Sequence, residues 1–599
     1  MNVFDFRNRL VDDYASYIKS FIQIQDKRIN DYVEENLESG LLWPDPLIQL
    51  NQSFESGDWI DDFVKKGTLH EVCGRIFRIK QEAQGEGKPL RLHRHQADAI
   101  NAAKTGNNYV LTTGTGSGKS LAHIVPIVDH VIRRGSGKGI QAIIIYPMNA
   151  LCNSQFGELE KFIKYGFPKG QAPASFAKYT DQEGEEIRQE IIAKPPDILL
   201  TNYVMMELIL TRPHEKNIVQ AAQGLRFLVL DELHTYRGRQ GADVALLVRR
   251  LRNACDAKNL QCVGTSATLA GPEAYDTQRE EIAQVATKLF GDVVKPKMVI
   301  GETLKKATPE VDLKDPTFLR KLRERVADTS YIPPIEYQNF INDSLSIWIE
   351  NTFGITNEKQ SGRLIRTKPK SITGPDGAAK ELNKLVGITE ERCAQAIQGG
   401  LLAGYPCTDP DTGFPVFAFR LHQFISRGNN VFASLEPEES RFITVYGQQF
   451  VPGDRTRVLL PVVFCRECGQ EYYSVRVEKD PETKRRKYTP RDLSDRYQSD
   501  ESEAGFLYNN SNNPWPEQEE EILSRLPVDW LDENRGALRC RRNRLPDLPQ
   551  KVSIGTDGAE TSAGDSYHYI KAPFRFCLNC GVSYGARQLS DIGKMTKVQ

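Results

Sequence analysis

A chain of 599 residues is far too long for one hydrophobic core and predicts roughly three to five domains of about 100 to 200 residues each. Its 39% hydrophobic and 26% charged residues are ordinary for a water-soluble chain, no apolar run approaches the roughly 18 residues of a membrane span, and MNVFDFRNRLVDDY has neither a basic n-region nor an apolar h-region. These features argue against membrane and secreted classes and make the cytoplasm the expected location; the net charge of −1 confines any nucleic-acid surface to local patches.

In chain order, residues 1–85 read as a helical N-terminal region, after which strands alternate with helices. Tyr109 to Leu111 is a short β-favouring run. It leads into TTGTGSGKS, Thr112 to Ser120, and then SLAHIVPIVDHVIRR, with apolar residues at helical spacing and Pro126 as an expected kink. Strand, loop and helix in this order suit phosphate binding, which needs backbone N–H groups turned inward at a helix N-terminus. Gly114, Gly116 and Gly118 permit such a nest with Thr113, Thr115 and Ser117, Lys119 adds a point charge for the β- and γ-phosphates, and Ser120 offers a hydroxyl to Mg2+. The strict motif wants Gly six positions before the Lys, where this chain has Thr113, so a merely flexible glycine-rich turn stays open at this point.

Four further runs, IIIYP (Ile143 to Pro147), DILLTNY (Asp197 to Tyr203), FLVLDELH (Phe227 to His234) and CVGTSATL (Cys262 to Leu269), are β-rich and apolar, with helical stretches between them. They read as buried parallel strands of an α/β sheet. Polar residues gather where the runs stop, at the carboxyl edge where doubly wound sheets bind ligands. Asp231 and Glu232 end FLVL, so one carboxylate can hold a Mg2+-bound water while its neighbour polarises the attacking water.

TTGTGSGKS, YPMNALCNSQ, LLTNYVMME, DELH and SATL, in that order over Thr112 to Leu269, closely resemble motifs I, Ia, Ib, II and III of superfamily 2 helicases, in which Thr at position 113 is an accepted variant. The resemblance implies a RecA-like ATPase domain over 86–300 that uses ATP and Mg2+. Thr113 to Ser120 would cradle the phosphates, and Lys119, Asp231, Glu232 and His234, the last making a DExH box, would be catalytic, with Ser120 and Asp231 on the metal. The resemblance further implies nucleic-acid and coupling roles for Pro147, Asn149, Thr201, Asn202, Ser266, Ala267 and Thr268. RLHRHQADAI resembles the Q motif, in which Gln96 reads the adenine edge; a Gln on an amphipathic helix is otherwise simply solvated.

From about residue 300 the sequence turns helical and charged, giving an accessory region over 301–440. AAKELNKLVGITEERCAQAIQGGLLAG reads as helix, turn at Gly387, Thr389 as N-cap and a second helix. It fits a helix-turn-helix on DNA or a helical packing subdomain, and Glu390 and Glu391 favour the latter. QSGRLIR, Gln360 to Arg366, is one residue short of the arginine-bearing helicase pattern QxxGRxxR and reads as a basic loop.

Residues 441–599 contain two CxxC pairs, Cys465 with Cys468 in FCRECGQEYY and Cys577 with Cys580 in FCLNCGVSYG. Each has an aromatic before it and a Gly after it, so two matching knuckles can join into one four-cysteine Zn2+ site across a long insertion; free thiols and a redox pair are the alternatives. The insertion, with basic TKRRKYTPRD and LRCRRNR around a polar, partly acidic stretch, reads as extended loops over a thin core.

LWPDPLIQLN, RLHQFISRGNNVFASL and FCRECG, taken with the motor motifs, resemble large bacterial helicases with cysteine-cluster regions, including motors of the Druantia and DISARM antiphage systems. The expected fold is thus α/β, a RecA-like parallel-sheet motor followed by helical and zinc-containing accessory domains. The expected function is an ATP-dependent helicase or translocase on DNA rather than RNA, or its N-terminal half, with nucleic acid and a defence-system subunit as partners and no membrane. Two alternatives remain: a nucleotide-gated nucleic-acid-binding or assembly subunit with slow turnover, and an RNA helicase. No second RecA-like domain follows the second CxxC and nothing in the chain is a convincing arginine finger, so slow hydrolysis by these residues alone is expected.

Overall fold

The computed structural model describes residues 2–597 apart from 52, 81–84, 115, 268–274, 359–361, 411–412, 427–429, 480–484, 494, 496–501, 535–536, 586–587 and 589. The chain divides into two compact units. One comprises Ile48–Lys370 and Ala378–Arg420, the other Met1–Leu47, Ser371–Gly377 and Leu421–Gln599. Among the described residues no helix is long and apolar enough to cross a membrane.

The first unit is built on a seven-stranded sheet whose strands we number in chain order: β1 Tyr109–Thr112, β2 Ala142–Tyr146, β3 Phe176–Lys178, β4 Ile198–Asn202, β5 Phe227–Leu230, β6 Gln261–Ser266 and β7 Val299–Gly301. Their spatial order is β7-β1-β6-β5-β2-β4-β3, and every pairing is parallel. Side chains alternate between two cores. Ile143, Ile145, Leu228 and Leu230 enter one, while Ala142, Ile144, Phe227 and Val229 enter the other. Burial on both faces is why these strands read as unbroken apolar runs rather than as an alternating pattern. The flanking strands β3 and β7, with three residues each, are too short to show such a run.

Pro126 lies inside the helix Leu121–Arg134 without ending it. A proline there cannot donate to the carbonyl one turn earlier. That carbonyl, on Ala122, instead accepts a 2.9 Å hydrogen bond from the buried Tyr109 hydroxyl, tying the helix to β1.

Gly264 in β6 is required by space. A Cβ there would lie 2.3 Å from Leu233 Cδ1 and 3.2 Å from Phe290 Cζ. Gly264→Ala is expected to lower stability by about 1–3 kcal/mol through overpacking. Denaturant unfolding checks this, and an unchanged midpoint would show that Leu233 simply swings away.

Beyond the sheet, the helices Ala378–Val386 and Glu390–Gly404 are separated by Gly387 at φ 68°, and Thr389 caps the second by accepting from Arg392 N–H. Their buried faces, including Leu382, Cys393, Ile397 and Leu401, pack within a cluster that also contains helices Pro316–Ala327 and Ser344–Phe353. Glu390 and Glu391 stay exposed.

The second unit corrects the expectation of loops over a thin core. It holds a ten-stranded sheet whose main path runs Ile443–Thr444, Val431–Ser434, Asp454–Cys465, Glu471–Lys479, Ser502–Tyr508, Asp565–Lys571, Gln550–Ile554, with antiparallel neighbours. One face, with Val462, Phe464, Tyr473 and Val475, is covered by Ile29, Val33 and Leu37 from the N-terminal helix Lys27–Glu38. The other, with Val463, Tyr472 and Phe506, packs on Trp515, Trp530, Phe574 and Phe576. Asp26 caps that N-terminal helix and also pairs with the buried Arg441, whose guanidinium lies 3.3 Å from Glu471. The polar insertions conceal this sheet in the sequence, because its strands are separated by turns and by stretches without apolar pattern.

Candidate active site

The strand order decides which loops meet. β1, β6 and β5 are adjacent, so the segments leaving their carboxyl ends converge: Thr113–Ser120, Ser266–Ala267 and Asp231–His234. Thr113 N–H donates to Ser266 O at 3.3 Å, stitching the first two together. Gly116 and Gly118 have φ of 84° and 69°, left-handed values that open the loop's backbone into a concave turn. Thr113 and Ser117, both fully buried, share a hydroxyl hydrogen bond of 2.5 Å across the turn. Ser120 immediately precedes the helix Leu121–Arg134, and its side chain makes no capping bond. Thr115 lies outside the described residues.

Lys119 Nζ sits 3.1 Å from Glu232 Oε1, and the other carboxylate oxygen of Glu232 is 3.2 Å from His234 Nδ1. Glu232 occupies the left-handed region at φ 52° and ψ 57°, a conformation that costs a non-glycine residue roughly 1–2 kcal/mol and aims this carboxylate at the phosphate loop. Burial pushes the Asp231 carboxyl up, partly opposed by the Thr265 hydroxyl that donates to it and by the charge of Lys119. Asp231 is half-buried, and with Ser120 it offers the oxygen donors that suit Mg2+. His234 Nδ1 is also 3.3 Å from Ser266 Oγ and 3.4 Å from Ala267 N, so the DExH segment touches the SAT segment directly. Thr268 lies outside the described residues.

Gln96 is buried rather than solvated. Its Nε2 donates to Gly118 O at 2.8 Å and its Oε1 accepts from His93 N–H at 2.8 Å, so it braces the phosphate loop against the helix Arg94–Lys104. Further along the edge, Asn202 Nδ2 donates to Asn149 Oδ1 at 2.8 Å, joining the ends of β4 and β2, and Pro147 is half-buried beside them. Thr201 is fully buried with its hydroxyl on Tyr179 O, whereas Asn149 and Asn202, like Pro147, are half-buried.

In the second unit the four sulfurs of Cys465, Cys468, Cys577 and Cys580 all lie within 4.8 Å of one another. The two CxxC turns are copies. Gly469 N–H donates to Cys465 O and Gly581 N–H to Cys577 O, each at 2.9 Å, with the glycines at φ 73° and 77°. Cys468 Sγ is 3.7 Å from Cys577 Sγ, and Cys465 Sγ is 4.0 Å from Cys580 Sγ. A tetrahedral ion with Zn–S of about 2.3 Å requires sulfurs about 3.8 Å apart. The hydrogen bonds of Cys465 and Cys577 pull the Cys468 thiol far below its ordinary value, as expected where crowded thiols share protons. Asn579 Nδ2, 3.6 Å from Cys468 Sγ, and the Tyr472 hydroxyl, 3.2 Å from Cys577 Sγ, supply an outer ring of polar contacts.

Residues 93–277 match the DEAD/DEAH box helicase family. The chain carries a DEAD/DEAH box helicase domain. It is 32% identical over 189 residues to the ATP-dependent helicase YprA of Bacillus subtilis, covering 31% of this chain and 24% of YprA. It is 27% identical over 301 residues to the Druantia protein DruE of Escherichia coli, covering 32% of this chain and 16% of DruE. The match to each of these relatives thus spans under a third of the relative's length. Among solved structures, the DUF1998 helicase MrfA bound to DNA shares 20% identity with a TM-score of 0.33, over 49% of this chain and 38% of that one.

The helicase domain brings together every described residue of the phosphate loop, the DExH box and the SAT segment. Sequence reading missed Thr265, although it sits inside CVGTSATL one residue from the expected coupling serine. It also missed Glu302, just past β7, and misplaced Arg366. QSGRLIR is a loop only in part: Gly362 and Arg363 lie in a connection, whereas Leu364–Arg366 is a strand paired antiparallel with Ile355–Asn357, because cross-strand pairing supplies backbone partners that composition does not reveal. Gln360 and Ser361 lie outside the described residues. Arg366 reaches Glu302 with a bidentate fork at 2.6 and 2.9 Å, and Arg363 donates to Glu302 O.

Proposed function

We infer that the chain binds ATP with Mg2+ on the loop Thr113–Ser120 and uses the nucleotide cycle to grip and move along nucleic acid, DNA in preference to RNA. The observation that carries this reading is the convergence of Lys119, Asp231, Glu232, His234 and Ser266 on one sheet edge, where nucleotide chemistry is in contact with a segment of the coupling type. Mg2+ would neutralise phosphate charge; Lys119 would hold the β- and γ-phosphates, and Glu232 would accept a proton from the attacking water. Lys119 and Glu232 are paired with each other, so phosphate must draw Lys119 away before Glu232 can act on water. Hydrolysis is therefore slow on this sheet alone and rises when a second RecA-like domain, in cis or from a partner, faces it. Asn149, Asn202, Ser266 and Ala267 are assigned to the nucleic-acid edge. The four cysteines are assigned to a structural zinc ion. Likeness to the Druantia protein DruE supports a role as the motor of a defence system, for which the cytoplasm is the location proposed.

Fluorescence anisotropy with the full chain tests the nucleic-acid reading. Single-stranded DNA is expected to bind more tightly than RNA of the same sequence, with an affinity that changes when Mg·ATP is added and whose logarithm falls linearly with log salt as counterions are released from the phosphates. Affinity indifferent to nucleotide would remove the motor reading, and tighter RNA binding would reverse the choice of substrate.

A further inference from the structure

Two guanidinium groups from beyond the matched helicase segment lie against the phosphate loop. A Cβ on Gly114 would sit 2.7 Å from Arg366 Nη2 and 2.9 Å from its Cζ, and a Cβ on Gly116 would be 3.6 Å from Arg420 Nη2. Gly114 is therefore a glycine that keeps room for an arginine. The negative charge facing Arg366 is Glu302, whose carboxylate fills the guanidinium fork and also accepts Gly114 N–H at 3.0 Å. Glu302 follows β7, which pairs with β1, so strand order delivers this carboxylate to the start of the loop. Both side chains are largely buried, at 19% and 8% exposure, so the pair is little screened by water.

A carboxylate and a phosphate present the same bidentate face to an arginine, and the phosphate carries more charge. A polyphosphate arriving on this loop repels Glu302 and attracts the guanidinium beside it. We propose that Arg366 is a phosphate ligand of the bound nucleotide, held in reserve by Glu302, which competes with the phosphates for its guanidinium fork. The proposal rests on the ATP-binding reading of the loop and adds to it a residue that the family motifs over Thr112 to Leu269 do not contain. Because Arg366 ends the hairpin of Ile355–Asn357 and Leu364–Arg366, the exchange also ties that hairpin to nucleotide occupancy.

The two partners have opposite predicted signs, which separates a competitor from a structural brace. Affinity for Mg·ATP, measured with a fluorescent ATP analogue and the full chain, is expected to weaken roughly 10- to 100-fold in Arg366→Ala, the effect of losing a charged hydrogen-bond pair. Arg366→Lys, which keeps the charge without the fork, should fall between. Glu302→Gln is expected to tighten binding by about threefold or more, because the state competent to bind is no longer held back. Unchanged affinity in Arg366→Ala, or weaker affinity in Glu302→Gln, overturns the proposal. If Arg366→Ala does not fold, the sign of the Glu302→Gln effect decides alone. Lys119→Ala distinguishes the two readings: if it loses binding while Arg366→Ala keeps it, the ATP site stands and this proposal falls. If the wild-type chain binds no nucleotide, both fall together.

Discussion

Lys119→Ala and Glu232→Gln are each expected to lower single-turnover ATP hydrolysis by about 10²- to 10³-fold, the cost of removing one preorganised charged contact from a phosphoryl-transfer site. The two variants differ in what survives. Lys119 is the cation of the phosphate loop, so its loss weakens nucleotide binding as well as chemistry. Glu232 is assigned to the attacking water and not to phosphate, and the Gln variant keeps its shape, so it is expected to bind ATP and stall before hydrolysis. Each is the ion-pair partner of the other at 3.1 Å, with side chains 12% and 19% exposed, so Glu232→Gln also takes the carboxylate from a partly buried Lys119, and Lys119→Ala leaves Glu232 beside His234. A thermal melt of each variant separates that stability loss from the catalytic one, since a folded variant with intact melting isolates the chemistry. Hydrolysis at the wild-type rate in Glu232→Gln would remove the assignment of water activation to this carboxylate.

Chain purified without oxidation or chelator is expected to carry about one zinc ion, and Cys468→Ser to lower both the metal content and the stability of the second unit. Loss of a structural metal belongs to the few single changes that cost more than about 4 kcal/mol. The large effect follows from position. The cysteines close the end of the strand Asp454–Cys465 onto the turn holding Cys577 and Cys580, joining segments that are remote in sequence. Metal analysis paired with denaturant unfolding checks both halves of the expectation. An unoxidised sample without zinc would return the cluster to four thiols that meet only through packing.

The residues assigned to phosphate and to metal were legible in the sequence because their geometry is local. A few residues of strand, a glycine-bearing loop and the first turn of a helix position Thr113 to Ser120, and the short run FLVLDELH places Asp231 and Glu232 at a strand end. The central strands were equally plain, since burial on both faces leaves them uniformly apolar. The two matching CxxC turns announced themselves by their glycines, although only the folded chain shows that four sulfurs converge.

Pairings across the sheet were not legible. β7 lies beside β1 through hydrogen bonding between two segments nearly two hundred residues apart, and three apolar residues carry no mark of which neighbour they will choose. That choice alone sets Glu302 against Gly114 and gives Arg366 its partner. In the second unit the alternation of Val462 and Phe464 with Val463 becomes meaningful only once Ile29 and Val33 cover one face and Trp515 and Trp530 the other. The sequence by itself determined the chemistry that short backbone segments can preorganise. The tertiary structure decided which charges meet, because strand order and the covering of each face follow from burial summed over the whole chain and from no single stretch of it.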